Sequence, residues 1–317
     1  MSGGVTSYPR TGGGGGSTVQ QINQLIAHLN AALGAQSLQV QGDQLIVLLQ
    51  QFARSAATMQ EIVTLARRVR DALFIARCNG NLPIAKHLEA MMICADAWRT
   101  AFPLGATRLG ARAAKAESDL AQHKATGGNI RQLRAIKEEM GVIAWQYEAS
   151  ALLGEDLSAG IAGQARQLGT SKYIGARDAK GRLSYLECAG PYNVNVLVCI
   201  DVPGARKPLV LVGEAKGGKS AYGKVKRTPA LVAFSQHTGG RISQTDLLYA
   251  PSRALYMVNA CAAGATQAGQ PELEARRDAG DMILQAFSAT TLCYMTARGD
   301  ATVGSPVSVK RDYLECQ

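Results

Sequence analysis

Apolar residues return every three to four positions from Ser17 to about Gly154. In STVQQINQLIAHLNAALG, Val19, Ile22, Leu25, Ile26 and Leu29 share one helical face, Ser17 and Thr18 offer N-caps, and Gly34 supplies a stop. The same spacing runs through QLIVLLQQFARSA, TMQEIVTLARRVRDALFIARCNG, PIAKHLEAMMICADAWRTAF, LGARAAKAESDLAQHKATGG and NIRQLRAIKEEMGVIAWQYEASALLG. Turns are expected from Gly80 to Pro83, near Pro103 and at Gly127-Gly128. A further helix is expected in GEDLSAGIAGQARQLG.

From about Gly160 the period shortens to two. GRLSYLECAG and NVNVLVCIDV read as strands, PGARK as a turn and KPLVLVGEAK as the returning strand, so an antiparallel hairpin is expected. SQTDLLYAPSRALYMVNACAA and PELEARRDAGDMILQAFSA read as helices, the first broken or restarted at Pro251. TLCYMTARG and PVSVKRDYLE read as closing strands. The pattern predicts an α+β chain in three parts: a glycine-rich leader over 1–16, an all-helical module over 17–150, and a part mixing helices and strands over 151–317.

Composition adds constraints. The 317 residues are 47% hydrophobic but only 5% aromatic, which favours helices with small-residue contacts over an all-β sandwich. No apolar run approaches the ~18 residues of a membrane span, and MSGGVTSYPRTGGGGGS lacks the apolar segment of a signal peptide. Seven cysteines without regular spacing predict reduced, mostly buried thiols, and four histidines, none at zinc-ligand spacing from a cysteine, predict no structural zinc site. The net charge is +10. Eight basic residues and one acid, Glu214, lie between Arg206 and Arg241, a stretch suited to a polyanion.

That acid sits in LVLVGEAKGGKS, Leu209 to Ser220, which admits two readings. From Gly213 it spells G-x-x-x-x-G-K-S, a phosphate-cradling loop, which requires a helix directly after it. The residues that follow, AYGKVKRTP, contain Gly223 and Pro229 and have no helical period. From Glu214 it spells E-x-K at the end of an apolar strand. Residues i and i+2 of a strand share a face, so a carboxylate that could hold a divalent ion would stand beside an ammonium that could orient the nucleophile or neutralise charge.

GEAKGG with Ser220, the basic loop, and then GGRISQTDLLY from Gly239 to Tyr249 resemble the restriction-endonuclease-like PD-(D/E)XK toxins of bacterial polymorphic and contact-dependent effector systems. The resemblance covers about residues 150 to 317 and implies a restriction-endonuclease-like α/β domain with a central mixed sheet over 151–317, a deoxyribonuclease using Mg2+ or Mn2+, behind a helical docking or assembly module over 17–150. It makes Glu214 a metal ligand, Lys216 the catalytic lysine, and Gln244 a residue at the helix start facing the site. Lys219, Ser220, Lys224, Lys226, Arg227 and Arg241 are candidate contacts to the nucleic-acid backbone. It also implies a cognate immunity protein, and export without a cleaved signal peptide from the producer's cytoplasm into that of a target cell. The helical half would serve delivery or homo-oligomerisation.

The sequence departs from the family at the first acid, where GPYNVNVLV places Asn193 instead of aspartate. Asp201 falls at the hairpin turn, away from Lys216. Three repairs are open: Asn193 binds metal through its amide oxygen; Glu187, Glu155 or Glu148 supplies the missing charge; or the site is impaired and the protein binds nucleic acid without cutting it.

Overall fold

From residue 59 onward every amphipathic segment expected to be helical before Gly154 forms a helix. The computed structural model describes residues 59–78, 82–158, 166–168, 173–188, 193–219, 221–226, 241–262 and 270–317. The leader, the helix expected from Ser17, the segment QLIVLLQQFARSA, Ser220 and Arg227 lie outside these residues. The helices are α1 (Met59–Cys78), α2 (Ile84–Ala101), α3 (Arg108–Thr126) and α4 (Ile130–Leu153). Asn129 starts α4 with a reciprocal cap: its side-chain oxygen accepts from the amides of Arg131 and Gln132, while Gln132 Oε1 accepts from the Asn129 amide at 3.2 Å. Gly154, at φ +63°, stops it.

The second half forms strands β1 (Arg166–Leu168), β2 (Tyr173–Arg177), β3 (Leu183–Cys188), β4 (Val196–Ile200), β5 (Leu209–Gly217), β6 (Lys224–Lys226) and β7 (Arg241–Ser243). Helices α5 (Tyr249–Ala262) and α6 (Gln270–Ser288) follow, then β8 (Leu292–Asp300) and β9 (Ser308–Cys316). Pro251 lies in the first turn of α5, where no intrahelical amide bond is lost, so the helix is continuous through it. The helix expected in GEDLSAGIAGQARQLG is not formed at its end. Arg166–Leu168 pairs antiparallel with β2, and that edge pairing outweighs a weak helical signal.

Seven strands form one mixed sheet in the order β1-β2-β3-β4-β5-β8-β9. All neighbours are antiparallel except β5 and β8, whose parallel pairing requires the crossover that α5 and α6 provide. The expected hairpin is present, with Val196 opposite Gly213 and Ile200 opposite Leu209.

Two apolar clusters cover the two faces. On one face, Phe74, Trp98, Met140, Ile143 and Trp145 from the helices join Val196, Val198, Leu211 and Met295 of the sheet. On the other, Leu197, Val210, Val212 and Tyr294 join Ala254, Met257, Ala279 and Ile283 of α5 and α6. The described part of the helical segment expected over 17–150 therefore shares a buried core with the sheet, although the periodicity changes near residue 150. The molecule is α+β, with the central sheet between two helical layers.

One cysteine expectation is corrected. Cys293 and Cys316 face each other across β8 and β9 and are joined in a disulfide. Cys78, Cys94, Cys188 and Cys199 are free.

Candidate active site

Strand β5 divides the GEAKG stretch between the two sheet faces. Gly213, Ala215 and Gly217 face α4, and Glu214 and Lys216 face the α5–α6 side. A Cβ at Gly213 would lie 1.7 Å from the Met295 carbonyl, which accepts a hydrogen bond from Trp145 Nε1 at 3.0 Å. A Cβ at Gly217 would lie 1.7 Å from the Lys137 carbonyl. Gly217 lets the α4 backbone rest on the strand, and Gly213 leaves room for the β8 carbonyl and the Trp145 indole. The chain stays extended through Gly217, turns at Gly218 (φ +66°) and continues to β6, so the described residues do not form a phosphate loop running into a helix.

Glu214 is only 3% exposed. Gln244 Nε2 donates to its Oε2 at 3.0 Å, while Oε1 is buried with no hydrogen-bond partner among the described residues. Burial pushes the carboxyl up to about 7, against the opposing pull of Lys216, Tyr249 and Arg253. Gln244 ties several elements to this carboxylate. Its Nε2 also donates to the Tyr249 hydroxyl at 3.2 Å and its Oε1 accepts from the Gly223 amide at 2.6 Å. Its backbone carbonyl accepts from the Tyr294 hydroxyl at 2.7 Å. The structure thus brings Glu214, Lys216 and Gln244 to one face.

The other proposed metal ligands separate. Asn193 is buried just before β4. Extending the β4–β5 register sets Asn195, not Asn193, opposite Glu214, and Asn195 Oδ1 accepts from the Ala215 amide at 3.1 Å. Glu187 does not join the site. It shares the α4 face with Tyr185, whose hydroxyl donates to it at 2.9 Å, and accepts from Gln146 at 3.2 Å. Glu155 does not join it either: it follows α4 and pairs with Arg70 at 2.6 Å. Glu148 is held on that same side by Arg99 at 2.6 Å and Arg311 at 3.0 Å. Asp201 pairs with Arg182 at the hairpin turn, as its place in the sequence implies. Among the described residues no group of three or more His, Cys, Asp or Glu side chains is set to hold a metal ion.

Of the basic candidates, Lys219 is exposed on the turn after β5. Lys224 and Lys226 lie on β6 and Arg241 on β7, with Lys226 and Arg241 opposite each other in register. Sequence reasoning missed Thr296 and Arg298, which stand opposite Glu214 and Lys216 on β8. The alternation in TLCYMTARG carries that signal, but only the parallel register assigns it. Tyr222 was also missed; its ring lies 5.9 Å from Lys216 Nζ and 5.1 Å from the Arg298 guanidinium.

Among the described residues Glu214 Oε1 is buried on this face with no hydrogen-bond partner. Magnesium is commonly held by one or two carboxylates together with substrate phosphates and water, so a single carboxylate with an unpartnered oxygen fits an ion that arrives with its substrate. No known family model matches the chain, and searches of curated proteins and of solved structures return no significant similarity.

Proposed function

We propose that the chain is a metal-dependent deoxyribonuclease acting as an antibacterial toxin, with Glu214 and Lys216 at its centre. One observation carries this reading: Gln244, thirty positions away in sequence, hydrogen-bonds the Glu214 carboxylate beside Lys216 on one face of the central strand. The E-x-K strand, the preceding strand with asparagines at its start, and the GGRISQ segment leading to α5 are the parts that the resemblance implies.

Water attacks the phosphorus and the bond to the leaving sugar oxygen breaks. Lys216 orients the water or neutralises the charge that develops on the phosphoryl oxygens. Gln244 holds Glu214 Oε2 and leaves Oε1 without a hydrogen-bond partner among the described residues. A magnesium or manganese ion would be held by Glu214 together with substrate phosphate oxygens and water, and would supply Lewis acidity. By the same resemblance the toxin acts in the cytoplasm of a recipient cell. An acidic immunity protein matched to the basic residues between Arg206 and Arg241 would hold it inactive in the producer.

The lone carboxylate favours a second reading, a nucleic-acid-binding protein with a lost metal site. Supercoiled plasmid incubated with the protein in magnesium, in manganese and in EDTA separates the two. The nuclease should nick and linearise the plasmid only with metal. Glu214→Ala and Lys216→Ala should remove this activity, and Gln244→Ala should slow it about 10–100-fold, as expected for a residue that orients a ligand. Plasmid left intact by the wild-type protein in both metals, with DNA still bound, would establish the binding module.

A further inference from the structure

Lys216, Arg298 and Lys310 form one cross-strand row: Lys216 is opposite Arg298, and Arg298 is opposite Lys310. Directly opposed residues share a face, so three cations line the α5–α6 side, spanning about 10 Å at ~4.8 Å per strand. Like charges directly opposite each other are destabilising in a sheet, so the row needs anions. Asp312 on β9 is one. The β8–β9 register shifts between Thr296 and Ala297, leaving Asp312 as the extra residue of a bulge. The bulge places Asp312 on the same face as its neighbour Tyr313, while Arg311 on the other face pairs with Glu148.

Asp312 accepts from Arg298 Nε at 3.1 Å, from Lys310 at 3.2 Å and from the Tyr222 hydroxyl at 2.8 Å. Arg298 also donates to the Gly218 carbonyl at 2.6 Å, which fixes it beside the turn that follows Lys216. Asp312 pairs with Arg298 and Lys310, Glu214 lies two positions from Lys216 on the same face, and the row opens toward solvent at Lys310, whose side chain is 76% exposed.

We propose that Lys216, Arg298 and Lys310 form a track for the sugar-phosphate backbone of a nucleic acid, crossing the C-terminal ends of β5 and β8, with Asp312 aiming Arg298. The track rests on the nucleic-acid reading above and extends the contact surface to β8 and β9, outside the basic loop. It sets the strand direction across the sheet and leads a phosphate to Lys216, two positions from Glu214.

The test is fluorescence anisotropy of the full chain with a labelled DNA duplex in EDTA, with salt varied from about 50 to about 200 mM. The double variant Arg298→Gln/Asp312→Asn keeps the net charge constant, so a change in its salt dependence reports a lost phosphate contact and not a change in global charge. It and Lys310→Gln should each flatten the slope of log affinity against log salt by about 0.9. Wild-type slopes in both variants would overturn the track while leaving metal-dependent cleavage to stand on its own assay. If the double variant does not fold, the exposed Lys310→Gln decides alone. A wild-type protein with no salt-sensitive binding would sink the nucleic-acid reading and the track together.

Discussion

Glu214 is a buried carboxyl whose environment favours the protonated form, and that preference has a stability consequence. Its folded value of about 7 lies above the ordinary 4.5. The stability it contributes is therefore full below about pH 4.5, declines as pH rises toward 7 and stays low above that. Glu214→Gln removes the charge and keeps the shape. In EDTA at pH 8 the variant is expected to be more stable than wild type by up to about 3 kcal/mol, and nearly equal to it at pH 4. Urea midpoints at the two pH values check this, and equal midpoints at pH 8 would contradict a costly buried anion. On the proposed reading, a bound cation would offset this cost.

At the level of elements, the pairing of α4 with β5 positions the site from behind. Gly217 has no room for a methyl group against the Lys137 carbonyl. Gly217→Ala is expected to lose about 1–3 kcal/mol in denaturant unfolding and to disturb the Lys216 end of the strand; a variant as stable as wild type would show that α4 can retreat freely. Much of this arrangement was legible in the sequence. The four described helices before Gly154, the hairpin and β8 and β9 follow from periods of 3.6 and two, and Glu214, Lys216 and Gln244 follow from GEAKGG and GGRISQ. The short strands β1, β2, β6 and β7 were not legible, because three to five residues carry little periodic signal and their partners supply the stability. Glu187 was misplaced for a related reason. Only the bulge within β2–β3 and the register with β4 decide which face it takes, and they set it with Tyr185 toward α4. Asp312 was invisible because a bulge, not alternation, turns it to the site.

For the whole molecule, the sheet and both helical layers form a single framework that the Cys293–Cys316 disulfide closes at its C-terminal edge. The bond links residues 23 positions apart. Reduction is expected to lower unfolding free energy by about 3 kcal/mol, by the chain-entropy estimate for a loop of this length. Proteolysis without reductant should yield a peptide pair joining Cys293 to Cys316; separate peptides would remove the constraint. Strand β9 also bounds the sheet. Its outer side pairs with no described strand, so a second polypeptide could add there by strand pairing. The extra residue at Asp312 breaks the even spacing of backbone groups on that side, and Lys310 sets a charge along the same border. By the general behaviour of sheet edges the bulge that aims an acid at Arg298 also works against edge-to-edge pairing, and deleting that one residue is expected to straighten β9 and raise the oligomer fraction in size-exclusion chromatography.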